Sequence, residues 1–425
     1  MLRNLGSLFY DKKKSLQNNE VYGESNMKIG IVTFYYKNYN FGGALQARAL
    51  TKAVNSIKGA KAEQIQIDFR QSWKKESKLK HLLATIEHHG LHESIRLVRN
   101  FKKREEHKKS VVSIDESLLR KRMQAFDKFS DETAHSTGVY SDSNFRKCTE
   151  EYQAFICGGD QIWNDWGTEF YSHGLNMYTL KLIPNDCLKL SYAPSIPMKS
   201  PNRAFLKKLK DGLLTLNAVS VRENSSVQLI ENLIGKTVNV VVDPVLLLTS
   251  EQWDEQCVLP DIREKYIICY LLGEGRASRE AAQEYAKGLG VKLLVFPFIG
   301  GLIADDCDFG DIRDFTSGPA EFVGLIRNAE AIITDSFHAT IFSVIYHKPF
   351  YVVERTTLVG GDSMESRLID FLDEYKLSNQ RIEATRLEYM SEIPRIDYNK
   401  VDEILRKRRM ESYEYLKTNL KSINQ

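Results

Sequence analysis

The stretch that decides the fold is Ala331-Ile332-Ile333-Thr334-Asp335-Ser336-Phe337-His338-Ala339-Thr340-Ile341-Phe342-Ser343. A short apolar run stops at Asp-Ser and a helical pattern follows, so the segment predicts a strand feeding a helix through a tight polar turn. In α/β proteins ligands gather outside the carboxyl ends of the strands. Asp335 or Ser336 can cap the free N–H groups of such a helix, and the helix end favours a bound anion. A titratable imidazole at that place, His338, is a candidate for chemistry. The plain alternative is a capped helix with an incidental histidine, and this stretch alone does not separate the two.

The same rhythm recurs on both sides. Strand-like runs cover residues 29–34, 64–68, 154–157, 188–193, 218–221 and 238–242, then 266–272, 291–296 and 350–353. Asp243-Pro244, followed by Val245-Leu246-Leu247-Leu248, reads as a hinge between two series. The expected class is α/β: two doubly wound Rossmann-like domains facing a cleft. The expected boundaries are a flexible extension over 1–26, an N-terminal domain over 27–245 with a helical insertion at about 70–135, a C-terminal domain over 246–395, and a closing helix over 396–425. Loops that follow strands should face the cleft. They nominate Gly42-Gly43, Gly158-Gly159-Asp160, Tyr192, Arg222-Glu223, Asp243 and Asp335 to His338. The glycine pair lets a ligand approach the backbone, but neither G-x-G-x-x-G nor G-K-[ST] is present, and a simple turn fits equally well.

Composition sets the compartment. The chain has 425 residues, 42% hydrophobic and 27% charged, with a net charge of +3. That is ordinary for a soluble protein of about two or three domains. Six scattered cysteines form no C-x-x-C pair, and several sit in strand-like runs such as Phe155-Ile156-Cys157. This pattern fits a reducing cytoplasm rather than a disulfide framework or zinc ribbon. No run approaches the roughly 18–20 apolar residues of a membrane span, and the first 26 residues lack the apolar centre of a signal peptide.

One segment has a different character. Residues 70–109 carry twelve Lys/Arg against five Asp/Glu, with five of the nine histidines. Leu79, Leu82, Leu83 and Ile86 recur at helical spacing, as do Leu91, Ile95 and Val98 after Gly90. A basic helical hairpin inserted into the first domain is expected. It can serve as a peripheral contact with anionic lipid or acidic glycan, or pack on the domain as a solvated lid. His88 and His92 have metal-ligand spacing, but Gly90 interrupts their helix and no third ligand is evident, so no metal is expected. Nucleic-acid binding is discounted because the basic stretch lacks an aromatic stacking platform.

Taken in order, the cleft motifs resemble the polysaccharide pyruvyl transferase family. They are Asn40-Phe41-Gly42-Gly43-Ala44-Leu45-Gln46, Gly158-Gly159-Asp160-Gln161-Ile162-Trp163-Asn164, Ser191-Tyr192-Ala193, Ser220-Val221-Arg222-Glu223-Asn224-Ser225, Asp243-Pro244-Val245, Thr334-Asp335-Ser336-Phe337-His338 and Glu365-Ser366-Arg367-Leu368. The resemblance implies an architecture similar to that of the two-domain B-type glycosyltransferases. It also implies transfer of a pyruvyl group from phosphoenolpyruvate onto two hydroxyls of a sugar, forming a cyclic ketal. The acceptor would be a sugar or lipid-linked oligosaccharide of a bacterial exopolysaccharide, capsule or cell-wall glycan, and no further cofactor is required.

Such chemistry needs an acid to protonate C3 of the donor, a base for the sugar hydroxyl, and cations or helix ends for phosphate and carboxylate. By resemblance, His338 is the acid, with Asp160 and Asp335 as further catalytic candidates. Because a helix N-terminus disfavours imidazolium, protonation of His338 is expected to be coupled to binding of the anionic donor. Arg222, Ser336, Gly42, Gly43, Arg367 and Arg355 are the donor-binding candidates, and Gln161, Trp163, Asn164 and Tyr192 those for the acceptor. Arg222 can instead pair with Glu223, Asp160 can cap a helix, and Asp243 reads more simply as a turn residue. Better-characterised pyruvyl transferases carry an arginine two residues before the motif histidine, where this chain has Ser336. A serine cannot replace a bidentate guanidinium, so Arg355, Arg367 or Lys348 would take over, or the donor differs. The rival readings are a B-type glycosyltransferase using a nucleotide sugar and a non-catalytic glycan-binding relative. The first is weakened because the only glutamates eight apart after the hinge, Glu403 and Glu411, fall in the closing helix.

Overall fold

The structure is a computed structural model that describes residues 27–94, 115–196, 202–273, 275–297, 306, 308–355 and 366–421. The N-terminal half opens with β1 (Met27–Val32), α1 (Phe41–Asn55) and β2 (Ala60–Ile67). Three helices follow, α2 (Arg70–Lys75), α3 (Lys78–His89) and α4 (Glu116–Asp131), then β3 (His135–Tyr140), β4 (Ala154–Gly158) and β5 (Leu188–Tyr192). The half continues with α5 (Arg203–Leu213), β6 (Ser220–Val221), α6 (Val227–Ile234) and β7 (Asn239–Val240). Five strands pair in the order β3-β2-β1-β4-β5. An isolated parallel bridge from Leu190 to Ala218 links this sheet to the β6-β7 pair.

The second half contains β8 (Tyr266–Tyr270), α7 (Arg276–Gly288), β9 (Lys292–Val295), β10 (Ile312–Arg313), α8 (Pro319–Asn328), β11 (Ala331–Thr334) and α9 (Phe337–Ile345). It ends with β12 (Phe350–Val353), α10 (Ser366–Glu374), β13 (Arg381–Ile382) and α11 (Tyr398–Lys421). Its strand order is β10-β9-β8-β11-β12-β13. Every pairing in both sheets is parallel, which makes the protein an α/β chain of Rossmann-like build. β11 sits between β8 and β12 with Ile333 opposite Cys269 and Tyr351, and all four of its residues are buried. A strand covered on both faces needs no polar alternation, and Ala-Ile-Ile-Thr has none.

Two connections join the halves. Asp243 caps a short 3-10 turn, Pro244–Leu247, by accepting from the Val245 N–H at 2.9 Å. The following apolar residues, Val245 to Leu248, are in the core, so the stretch read as a hinge is a packed junction. Four consecutive large apolar side chains are too costly to leave in solvent. α11 then returns across the molecule: Val401, Leu405, Leu416 and Leu420 are buried along one face. Its Tyr415 hydroxyl donates to the Ser191 carbonyl at 2.9 Å, and Ser412 accepts from the Val242 N–H at 2.9 Å.

The insertion is helical, but its orientation differs from a lid packed through its leucines. Leu79, Leu82 and Leu83 are 65%, 46% and 58% exposed. The opposite face of α3 meets the body, where His88 stacks on Tyr171 and bonds to Asp165 at 3.0 Å, while His81 stacks on Trp73. Rings and a carboxylate on that side offer directional contacts that an aliphatic stripe cannot match. Ile95 and Val98, the second arm of the expected hairpin, lie outside the described residues. α4 packs inward through Arg122, Phe126 and Phe129.

Candidate active site

The site forms where the ends of β1, β4 and β11 face one another across the halves. Asn40 caps α1 by accepting from the Gly43 N–H at 3.2 Å. Glycine is required at both positions that follow. A Cβ on Gly43 would stand 2.6 Å from the Phe34 carbonyl oxygen, and one on Gly42 would overlap the ring of His338. Gln46 lies one turn beyond Gly42, so both share the helix face that meets His338.

On the other side, the turn between β11 and α9 is locked by Asp335. Its carboxylate accepts from the Leu272 and Gly273 N–H groups, each at 2.7 Å, and from Arg355 Nε at 3.3 Å. Arg355 also donates to the Asp335 carbonyl at 2.8 Å. Ser336 is the N-cap of α9, with its hydroxyl accepting from the Ala339 N–H and its own N–H donating to Thr334 Oγ1 at 2.9 Å. The turn therefore presents His338 in the first turn of a wholly buried helix.

A layer of charges backs the imidazole. Asp243 Oδ2 accepts from Gln46 Nε2 at 2.9 Å and from Arg222 Nη1 at 2.7 Å, and lies 3.7 Å from His338 Nε2. Gln46 Oε1 accepts from the Asp160 N–H. Arg222 also bonds Glu223 at 2.8 Å, and its planar head lies over the Phe337 ring at 4.3 Å. Burial works against the Asp243 carboxylate, yet His338, Arg222 and the Val245 N–H hold its carboxyl below the ordinary value. Burial likewise opposes the Arg222 charge, but Glu223, Asp243 and Asp160 outweigh it and raise its pKa.

Arg367 is in the opposite condition. Burial lowers its pKa to about 10, with Arg222 and Arg355 acting in the same direction and only partly offset by Asp160. Its guanidinium donates to Asp160 Oδ1 at 3.1 Å. Two buried arginines thus share this carboxylate, since Arg222 Nη2 lies 3.8 Å from the same oxygen. Arg367 is a cation whose surroundings favour an added negative charge.

These residues line one narrow pocket bounded by Asn40, Gly42, Asp160, Ser336, His338 and Arg367. Asp335 and Gly43 are occupied in shaping the backbone around it. Arg222, one of the donor-binding candidates, bonds Glu223 and Asp243 through Nε and Nη1, while its Nη2 is buried without a hydrogen-bond partner among the described residues. Trp163 and Tyr192, nominated for the acceptor, are fully buried, and the Trp163 N–H donates to the Tyr178 carbonyl. Both belong to the core: Trp163 follows the central strand β4, and Tyr192 is the last residue of β5. Gln161 is also buried and Asn164 partly so, the latter bonding the Asp165 N–H at 2.9 Å. Lys348 precedes β12 and so lies at the far end of the sheet from His338.

Two residues that matter here escaped the site reading. Gln46 stood inside a quoted motif, but a glutamine carries no charge or nucleophile to single it out. Arg122, within the insertion, donates to the Pro297 carbonyl at 2.7 Å and to the Asp314 carbonyl, tying α4 to the C-terminal half. Nothing in local sequence pairs it with those carbonyls.

Two parallel Rossmann-like sheets with a buried histidine and arginine cluster between them define a two-lobed α/β enzyme. The chain belongs to the polysaccharide pyruvyl transferase family, whose model matches residues 40–357, and it is a transferase. No curated protein matches it. Solved structures that align with it include a putative UDP-N-acetylglucosamine 2-epimerase from Listeria monocytogenes, at 11% identity, covering 89% of this chain and 95% of that one, with a TM-score of 0.43. UGT2 of Phytolacca americana aligns at 11% identity over 94% and 99% of the two chains, with a TM-score of 0.44. The glycosyltransferase SnogD of Streptomyces nogalater does so at 12% identity over 94% and 99%, with a TM-score of 0.41.

Proposed function

We propose that the protein moves a pyruvyl group from phosphoenolpyruvate onto two hydroxyls of a sugar in an exopolysaccharide, capsule or cell-wall glycan. The observation that carries this reading is the convergence of His338, Arg367 and Asp160 on one pocket, with Arg355 beside the turn that precedes it. His338 delivers a proton to C3 of the donor, and C2 becomes an oxocarbenium-like centre. A sugar hydroxyl adds to C2 and passes its proton to Asp160. Phosphate leaves with the C2–O electron pair and takes up the proton held by Asp160, and the second hydroxyl closes the ketal and returns its proton to His338. Arg367 and Arg355 hold the phosphate and carboxylate, Arg355 standing in for the arginine that this chain replaces with Ser336.

The test is incubation with phosphoenolpyruvate and a panel of glycosides, reading phosphate release and product mass. One pyruvyl addition per phosphate released is expected. Turnover with a nucleotide sugar alone would replace this reading by a B-type glycosyltransferase. Binding of glycan with no turnover of either donor would replace it by a glycan-binding relative.

A membrane-facing side belongs to the same reading. On α3 the exposed Leu79, Leu82 and Leu83 stand among exposed Lys74, Lys75, Lys78 and Lys80, a pattern suited to anionic lipid at the inner face of the plasma membrane. No described helix is long and apolar enough to cross a membrane. The acceptor can therefore be lipid-linked and met at the surface.

A further inference from the structure

We infer that Gln46 is a positioning residue that fixes the tautomer of His338, placing the proton of its neutral ring on Nδ1. The side-chain amide has one accepting and one donating end, and its neighbours determine which is which. Oε1 faces the backbone N–H of Asp160, a group that can only donate. Nε2 faces Asp243 Oδ2 at 2.9 Å, and that carboxylate, already accepting from Arg222 and from the Val245 N–H, can only accept. The two ends agree, so the amide cannot be turned over without setting donor against donor on one side and acceptor against acceptor on the other.

The same NH2 group meets His338 Nε2. That nitrogen faces a hydrogen and must present a lone pair, which places the ring proton on Nδ1. Nδ1 belongs to the edge that lies against Gly42, toward the pocket wall. A proton on Nε2 would oppose the Gln46 N–H. Its other acceptor, Asp243 Oδ2, is 3.7 Å away, beyond hydrogen-bond reach. The charged groups facing the ring and its partners are Asp243 from the junction, Arg222 and Glu223 after β6, Asp160 after β4 and Arg367 from α10. None of them offers Nε2 an acceptor nearer than Asp243 among the described contacts.

The catalytic meaning rests on His338 acting as the acid. An imidazolium needs its second proton on Nε2, so the acid forms only when the ring turns from Gln46 to Asp243, a movement of about 1 Å. Gln46 thereby holds the ring in the tautomer from which that turn must start.

Nitrogen-15 NMR of the ring, in the full-length protein without ligand and above neutral pH, reads this without turnover. The His338 signal is assigned by its loss in His338→Asn. Wild type should show an unprotonated Nε2 and a protonated Nδ1. Gln46→Glu, with an acceptor where the amide N–H was, should move a proton to Nε2. Gln46→Asn, which withdraws the amide, should leave the two tautomers mixed. A protonated Nε2 in the wild type overturns the inference even if neither variant folds, and so does an unchanged tautomer in folded Gln46→Glu. Failure of phosphoenolpyruvate turnover would instead strike the donor reading and leave the tautomer result standing.

Discussion

Gly42, at the start of α1, lies so close beneath the imidazole of His338, from the opposite half, that a single methyl group on its Cα would overlap Nδ1 and Cε1. The absence of a side chain there is what lets the halves close on the histidine. Gly42→Ala is expected to displace the ring and lower kcat by about 100-fold, the usual effect of misplacing a reacting group by about 1 Å. Because a helix accepts alanine, the melting temperature should change far less than the rate. Steady-state kinetics alongside a thermal melt checks both.

Arg367 is a buried cation that Asp160 compensates only in part. Replacing it with Met removes a charge-assisted contact to the donor, worth about 1.5–3 kcal/mol, so KM for phosphoenolpyruvate should rise about 10- to 100-fold. Asp160 loses its nearer partner but keeps Arg222 at 3.8 Å and is itself partly exposed, so only a small loss of stability is expected. A variant that melts well below wild type would show that Arg367 is mainly a structural pair for Asp160.

Asp243 gives a pH signature. Its folded carboxyl lies below the ordinary value of 3.8, with burial opposing and the imidazolium form of His338, Arg222 and the Val245 N–H prevailing. The unfolded chain therefore binds this proton more readily. The stability contributed is present above the ordinary value and is lost as pH falls through the lower folded value. Asp243→Asn leaves Arg222 short of a partner and should cost about 3–5 kcal/mol near neutral pH. That deficit should narrow in acid, as followed by denaturant melts at several pH values.

The exposed leucines of α3 make a separate claim. Leu79→Ser with Leu83→Ser should weaken sedimentation with vesicles containing anionic lipid while leaving the melting temperature unchanged, because both side chains are already in solvent. Neutral vesicles should bind wild type weakly, since each lysine near an anionic surface contributes about 1 kcal/mol. Equal binding to both vesicle types would remove the electrostatic part of the proposal.

The α/β class and the turn before His338 were legible because they rest on local patterns: apolar runs, Asp-Ser punctuation and helical spacing. The inward or outward sense of α3 was not. Leu79, Leu82 and Leu83 look like a packing face, and only the distant Tyr171 and Asp165 turn the histidine side inward. Trp163 and Tyr192 misled for a related reason, since adjacency to a motif says nothing about which face of a sheet a side chain takes. Arg222 shows the same limit in charge: Glu223 is visible beside it, whereas Asp243 joins only in the fold.

The return of α11 across the molecule sets an order of events during synthesis. Val242 and Ser191, deep in the first half, complete their hydrogen bonds with Ser412 and Tyr415, which leave the ribosome more than 150 residues later. The first sheet can assemble early, but these two contacts with α11 form only when this helix emerges. A nascent chain stalled before residue 398 would carry His338 and every arginine of the pocket, yet lack the strap that draws the two lobes together.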